Sequence, residues 1–145
     1  MGETYRLTKI AVAVDQLDWA IRLLIDHSAY IPAVALAGAA EEILGRFVGQ
    51  QASFHVLKST LAVEHGLTES EIADGHLNHL RNWIKHFDSN DKANTSLDFE
   101  RADLEAVSIQ MIARALHNLA VHDGTGPSEL PRFTEWLGRT RPDLL

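Results

Sequence analysis

LTKIAVAVDQLDWAIRLL, residues 7–24, decides the architecture. Within it Leu7, Ile10, Val14, Leu17, Ile21 and Leu24 recur at alternating steps of three and four. That spacing returns an apolar side chain to one side of a 3.6-residue helix for about five turns. The remaining positions are largely polar, so the stretch predicts a long amphipathic first helix whose stripe must be buried against other helices.

Tyr30-Ile31-Pro32 interrupts the pattern. Pro32 fits the first turn of a second helix, where a residue needs no backbone donor. That helix is expected from about Ala33 to Gln50 and is rich in small residues: Ala33, Ala35, Ala37, Gly38, Ala39 and Ala40. Gly38, Gly45 and Gly49 fall near one face, which permits close approach of a neighbour. Tight packing within the chain is the preferred reading, a seam between two copies the other.

Phe54, Leu57 and Leu61 carry a further helical pattern that stops at Gly66, a suitable residue just past a helix end. Thr68 and Glu71 then read as the two halves of a capping box, opening a helix from Glu69 to about Phe87. Asp88 to Ser96 is a polar loop. A helix from about Asp98 to Val121 offers Leu104, Val107, Met111, Ile112, Ala115, Leu116 and Leu119 as apolar surface. Gly124-Thr125-Gly126-Pro127 ends it, and a short helix from about Glu129 to Leu137 closes the chain. No segment alternates with the period of a strand. The expected fold is all-α: one domain over residues 1–145, an up-and-down bundle of about five to six helices.

Composition narrows the function. With 46% apolar and 23% charged residues in 145, the chain is globular rather than disordered and long enough for a real core. It has no cysteine, which excludes disulfides, thiolate metal sites and a cysteine nucleophile. Met1 to Arg6 has no signal-peptide character. The most apolar stretch, Tyr30 to Ala40, is halted by Glu41-Glu42 well short of the ~20 residues of a membrane span. A soluble, cytoplasmic protein without membrane contact is expected. A net charge of −7 speaks against a protein that grips long nucleic acid through its phosphates, so no DNA partner is expected. It leaves room for a small site that meets RNA locally.

The chemistry-bearing stretch is Arg81-Asn82-Trp83-Ile84-Lys85-His86. An imidazole can move a ribose 2′-hydroxyl or leaving-group proton. A guanidinium can hold the added negative charge of a five-coordinate phosphate, and an amide can orient either group. On a helical wheel Ala73, Leu77, Leu80, Ile84 and Phe87 form the core face, with Trp83 at its edge. Arg81 lies on one flank, His79 and His86 on the other. Arg81 and His86 are about 140° apart around a straight helix, whereas Asn82 and His86 face the same way. Two arrangements would unite them: a helix that ends before His86, or two copies of the helix paired about a two-fold axis. The second needs no distortion and is preferred. Taken alone, this spacing also describes ordinary boundary residues of an amphipathic helix.

A helical bundle of this length with Arg-Asn-x3-His in a later helix resembles the HEPN superfamily, whose signature is Arg-x(4 to 6)-His with a polar residue, often Asn, after the Arg. Arg81, Asn82 and His86 match it position by position. Three blocks also look like segments of small bacterial proteins of that kind: Trp19 to Leu24, Leu36 to Leu44 and Asn82 to Phe87. The resemblance spans roughly Leu17 to Leu119. It implies an all-α fold, homodimerisation through the motif helices and, in many members, metal-independent RNase activity, often in toxins or phage defence. A cognate antitoxin-type partner would go with that role. Other members are non-catalytic binders of nucleotide or RNA. Under the RNase reading His86 is the general acid/base, Arg81 the phosphate clamp, Asn82 the orienting group and Lys85 a substrate-phosphate contact. Attack by the 2′-hydroxyl confines the substrate to RNA.

Other constellations are weaker. Of the eight histidines, His76 and His79 share a helix side and His86 continues it, but His76 to His86 spans about 15 Å of helix, and no Glu-x-x-His occurs. No metal and no cofactor are expected. Gly45 and Gly49 lie in a helical pattern with no Gly-Lys-Ser/Thr after them, so no phosphate loop is present. Asp88 to Asp91 lacks the Gly and Glu of a calcium loop. Phe99, Phe133 and Trp136 read as packing residues rather than base-stacking platforms.

Overall fold

Helix α1, Lys9–His27, starts where Thr8 supplies a cap: its hydroxyl accepts the Ala11 N–H at 3.1 Å. This places Leu7 ahead of the helix, where it is exposed, so the apolar stripe begins at Ile10 and not at Leu7. Leu17, Ile21 and Leu24 are buried as the spacing requires, with Ile10 and Val14 half-buried beside them. The helix stops at Ser28, which takes a left-handed backbone (φ 47°). Its N–H and that of Ala29 then satisfy Leu24 and Leu23 carbonyls. The computed structural model describes residues 2–52, 78–86, 95–122 and 126–144.

The second helix, α2, spans Tyr30–Val48, starting three residues before Ala33 and ending at Gly49, whose φ of 61° a side chain would resist. Pro32 sits in its first turn as expected. Three further α-helices are described, α3, His79–Lys85, α4, Arg101–His122, and α5, Leu130–Thr140, with 3-10 turns at Gly49–Gln51 and Pro142–Leu144. Helix α3 begins after Asn78 and stops at Lys85, short of the expected Phe87. Among the described residues all regular structure is helical, as the periodicity implied. The patterns at Phe54, Leu57, Leu61 and Gly66, the capping box at Thr68 and Glu71, and Ala73, Leu77 and Phe87 lie outside the described residues.

Helix α2 is the centre of the packing, touching α1, α3 and α4. Half of its eight buried positions are alanine or glycine (Ala33, Ala37, Gly38, Ala40), beside Tyr30, Val34, Glu41 and Leu44. Small side chains let two neighbours approach one helix closely while α1 and α4 supply the bulk. Leu17, Ile21 and Leu24 of α1 meet Met111, Ile112 and Leu119 of α4 in that core. Ser108 of α4, fully buried, donates to the Leu104 carbonyl at 2.8 Å and so satisfies its hydroxyl locally.

Asp18 ties α5 to α1. Its carboxylate accepts the Ser128 hydroxyl at 3.1 Å and the Glu129 N–H at 2.9 Å, directly before α5. A buried carboxylate at a helix start satisfies an otherwise orphaned N–H and meets the positive end of the helix dipole. Among the described residues, no helix is long and apolar enough to cross a membrane.

Candidate functional site

Helix α3 packs on α2, with Leu80 buried and Ile84 half-buried beside α2 residues. This orientation turns Arg81 inward toward α2. The Arg81 side chain crosses α2 at Gly38. A Cβ there would stand 2.5 Å from Arg81 Cδ and 2.8 Å from Cγ, so only a hydrogen leaves that path open. Gly38 is therefore the close approach that the small-residue face predicted, and it admits a side chain rather than a second backbone. Gly45 makes only ordinary contacts, and Gly49 is the helix end.

Beyond Gly38 the guanidinium reaches Glu41, donating to Oε2 at 3.0 Å. The other carboxylate oxygen accepts from Arg114 of α4 at 2.9 Å. Arg114 also donates to Asn78 Oδ1 at 3.2 Å, just before α3. Asn118 donates to the Glu41 carbonyl at 3.4 Å. One buried carboxylate thus joins α2, α3 and α4. The Glu41 and Arg114 side chains are 4% and 3% exposed and Arg81 is 15% exposed, so Arg81 forms the edge of the cluster. Burial pushes the Arg114 guanidinium below its usual range, and Glu41 works against that shift. Among the described residues, two guanidiniums share this one carboxylate.

Two further cations flank the Arg81 edge. Lys85 stands 3.5 Å from Glu42 Oε2, and Arg46 lies 3.6 Å from Glu42 Oε1. Burial alone would raise the Glu42 pKa; Lys85 and Arg81, with the hydrogen bonds from Lys85 and Arg46, outweigh it and hold the carboxyl below its usual range. Arg46, Arg81 and Lys85, together with Lys9 at the start of α1, line a groove of about 630 Å³ between α2 and α3. Glu42 is the single carboxylate among the described residues lining it.

Asn82 and His86 stand apart from this groove. Asn82 is half-buried, and its main chain lies in the α3 ladder, its carbonyl accepting the His86 N–H at 3.0 Å. His86 follows the end of the helix with extended backbone (φ −120°, ψ 142°) and is exposed. The helix thus ends before the imidazole, but this end does not bring His86 round to Arg81 as the first of the two expected arrangements required. Within the chain Arg81 points to the interior while His86 faces solvent.

Sequence reasoning passed over Arg114, Asn78 and Asn118 and treated Glu41 only as the end of an apolar run. A signal was present. Glu41 falls on the stripe Ala37, Glu41, Leu44, and Arg114 falls on Met111, Arg114, Ala115, Asn118. Opposite charges inside two apolar stripes have to find each other when the stripes meet. His76 lies outside the described residues. Among the described residues no group of three or more His, Asp or Glu is arranged to hold a metal ion. No family model, curated protein or solved structure matches this chain.

Proposed function

We propose that this chain is a HEPN-like, non-catalytic binding module that recognises an anionic ligand at the Arg81 edge of the α2–α3 groove and acts as a regulator in the cytoplasm. The observation that carries this reading is the cationic rim of that groove, where Lys9, Arg46, Arg81 and Lys85 stand against one carboxylate, Glu42, among the described residues. Glu41 holds Arg81 in place at this edge. Arg81 is therefore fixed within a rim attractive to an anion, which a binding site needs. Lys85 and Arg46 add to the same field.

The metal-independent ribonuclease remains the second reading, favoured by one observation: His86 is exposed and past the helix end, where an imidazole can reach substrate. It requires a homodimer that brings His86 of one chain to Arg81 of the other, with Asn82 orienting and Lys85 holding a phosphate. An antitoxin-type partner belongs with that reading.

The two readings separate in a titration with ATP and a short single-stranded RNA. A binding module holds ATP or RNA intact, loses affinity when Arg46 and Lys85 are both replaced by alanine, and keeps it in His86→Ala. Failure of the wild type to bind ATP, the RNA or any smaller anion contradicts the proposal.

A further inference from the structure

The groove that bears the cations has a floor of a different character. Ala35, Ala39, Ile43 and Phe47 succeed one another at steps of four along α2, and Ile84 of α3 faces them across the groove. A row of that spacing forms a continuous apolar ridge about 18 Å long. Phe47 at its end is 51% exposed, although it is a large aromatic ring. Its only described ring contact is with His122, at 5.1 Å between centroids.

Around this floor stand Lys9, Arg46, Arg81 and Lys85, with Glu42 as the one opposing charge among the described residues. The chain as a whole carries 20 acidic against 13 basic residues, so this face reverses the sign of the protein. The ligand that complements it is negative at one end and apolar along its length. Size narrows the class further. About 630 Å³ lies within the usual volume of a small-molecule site. A protein helix, a cylinder of ~10–12 Å diameter, would fill that volume with little more than one turn. A polynucleotide would lay sugars and phosphates against hydrocarbon, at a desolvation cost that an aliphatic chain does not incur.

We infer that the α2–α3 groove binds a small anionic amphiphile, a carboxylate or phosphate head on an aliphatic body, as a free molecule from solution. The body lies on Ala35, Ala39, Ile43, Phe47 and Ile84, and the head meets the rim cations. The inference rests on the reading of this face as an anion site and names the class of anion. Glu42 has a defined part in it: it competes with the head for Arg46 and Lys85. Removing its charge therefore tightens binding.

The test is calorimetric titration of the full chain with dodecanoate below its micelle concentration. Acetate, dodecanol and ATP serve as comparisons, and phosphatidylglycerol vesicles are run in parallel. Expected is saturable binding of one dodecanoate per chain, weaker by about tenfold or more for both acetate and dodecanol. Glu42→Gln binds dodecanoate more tightly, and Lys85→Glu more weakly. Ala39→Phe, which fills the groove without touching a charge, abolishes binding while circular dichroism shows the helices retained. Should Ala39→Phe not fold, Ala35→Leu blocks the other end of the ridge and carries the same expectation. Dodecanol binding as tightly as dodecanoate, affinity unchanged in the groove-filling variant, or binding to vesicles alone each overturns the inference. ATP binding without dodecanoate binding overturns the amphiphile and leaves the anion site standing; absence of both removes both.

Discussion

Two ionic clusters among the described residues differ in burial. At the α2–α3–α4 junction Glu41 joins Arg81 and Arg114, with the Glu41 and Arg114 side chains 4% and 3% exposed. At the α1–α5 junction Arg132 pairs with Asp26 and Glu129, but the Arg132 and Asp26 side chains are 41% and 43% exposed, and Arg22 reaches Glu129 at 3.6 Å. Each set has two arginines, but the first has one carboxylate and the second two. Removing one member of the buried set strands a charge away from water, which is costly. Removing one member of the exposed set returns its partner to solvent, which costs little and less still in salt. The buried cluster therefore defines a geometry, whereas the surface cluster only decorates one.

The largest expected effect follows from deleting the shared carboxylate. Glu41→Ala leaves two guanidiniums facing each other and should lower unfolding free energy by about 3–5 kcal/mol. Urea denaturation of the variant against wild type measures it, and a loss under ~1 kcal/mol would place this cluster with surface pairs. Replacing Asp18 by alanine sharpens the contrast from the other side. Asp18 is the one buried acid at the α1–α5 junction among the described residues and accepts the Ser128 hydroxyl and the Glu129 N–H. Its loss should cost about 2 kcal/mol by the same denaturation, well above any change at Arg132.

Gly38→Ala probes the geometry itself. The added methyl forces Arg81 from its path. A strain of ~1–3 kcal/mol is partly offset by the better helix propensity of alanine, about 1 kcal/mol, so a net loss near 1 kcal/mol is expected. Anion affinity should fall along with it, because the displaced Arg81 no longer sits at the groove edge. Stability gained with affinity unchanged would show that the close approach has no role.

Arg132→Ala gives the smallest effect, indistinguishable from wild type at moderate salt. It is sensitive to pH in one direction. The hydrogen bond from Arg132 holds the Asp26 carboxyl below its usual range. Its contribution is fully present above the unfolded-state value of about 3.9 and disappears as pH falls through the lowered folded-state value. At low salt, where the pair is unscreened, melts of wild type and Arg132→Ala should differ least at the acid end. A gap that widens on acidification would contradict this.

The helices were legible because their cause is local. Alternating steps of three and four from Ile10 to Leu24 impose the α1 stripe whatever it packs against, and Pro32 and the alanines announce α2 in the same way. The start of α1 was misplaced because Leu7 fits the stripe while the Thr8 cap, one residue on, excludes it. The site was legible only in part. Arg81 and Lys85 stood out, and both do line one groove. Their partners did not, because Glu41 and Arg114 are separated by 73 positions and meet only when α2 and α4 pack. A helical wheel gives the flank on which Arg81 lies; it cannot say that Gly38 opens a path for it.

The most direct test of the account is RNA cleavage. Purified protein is incubated with a panel of structured RNAs in excess EDTA, beside His86→Ala, with both shown to be folded. A binding module in which Glu41 holds Arg81 leaves the RNA intact, with no difference between the two proteins. Cleavage by the wild type that leaves 2′,3′-cyclic phosphate ends and vanishes in His86→Ala would contradict the account and establish the ribonuclease instead.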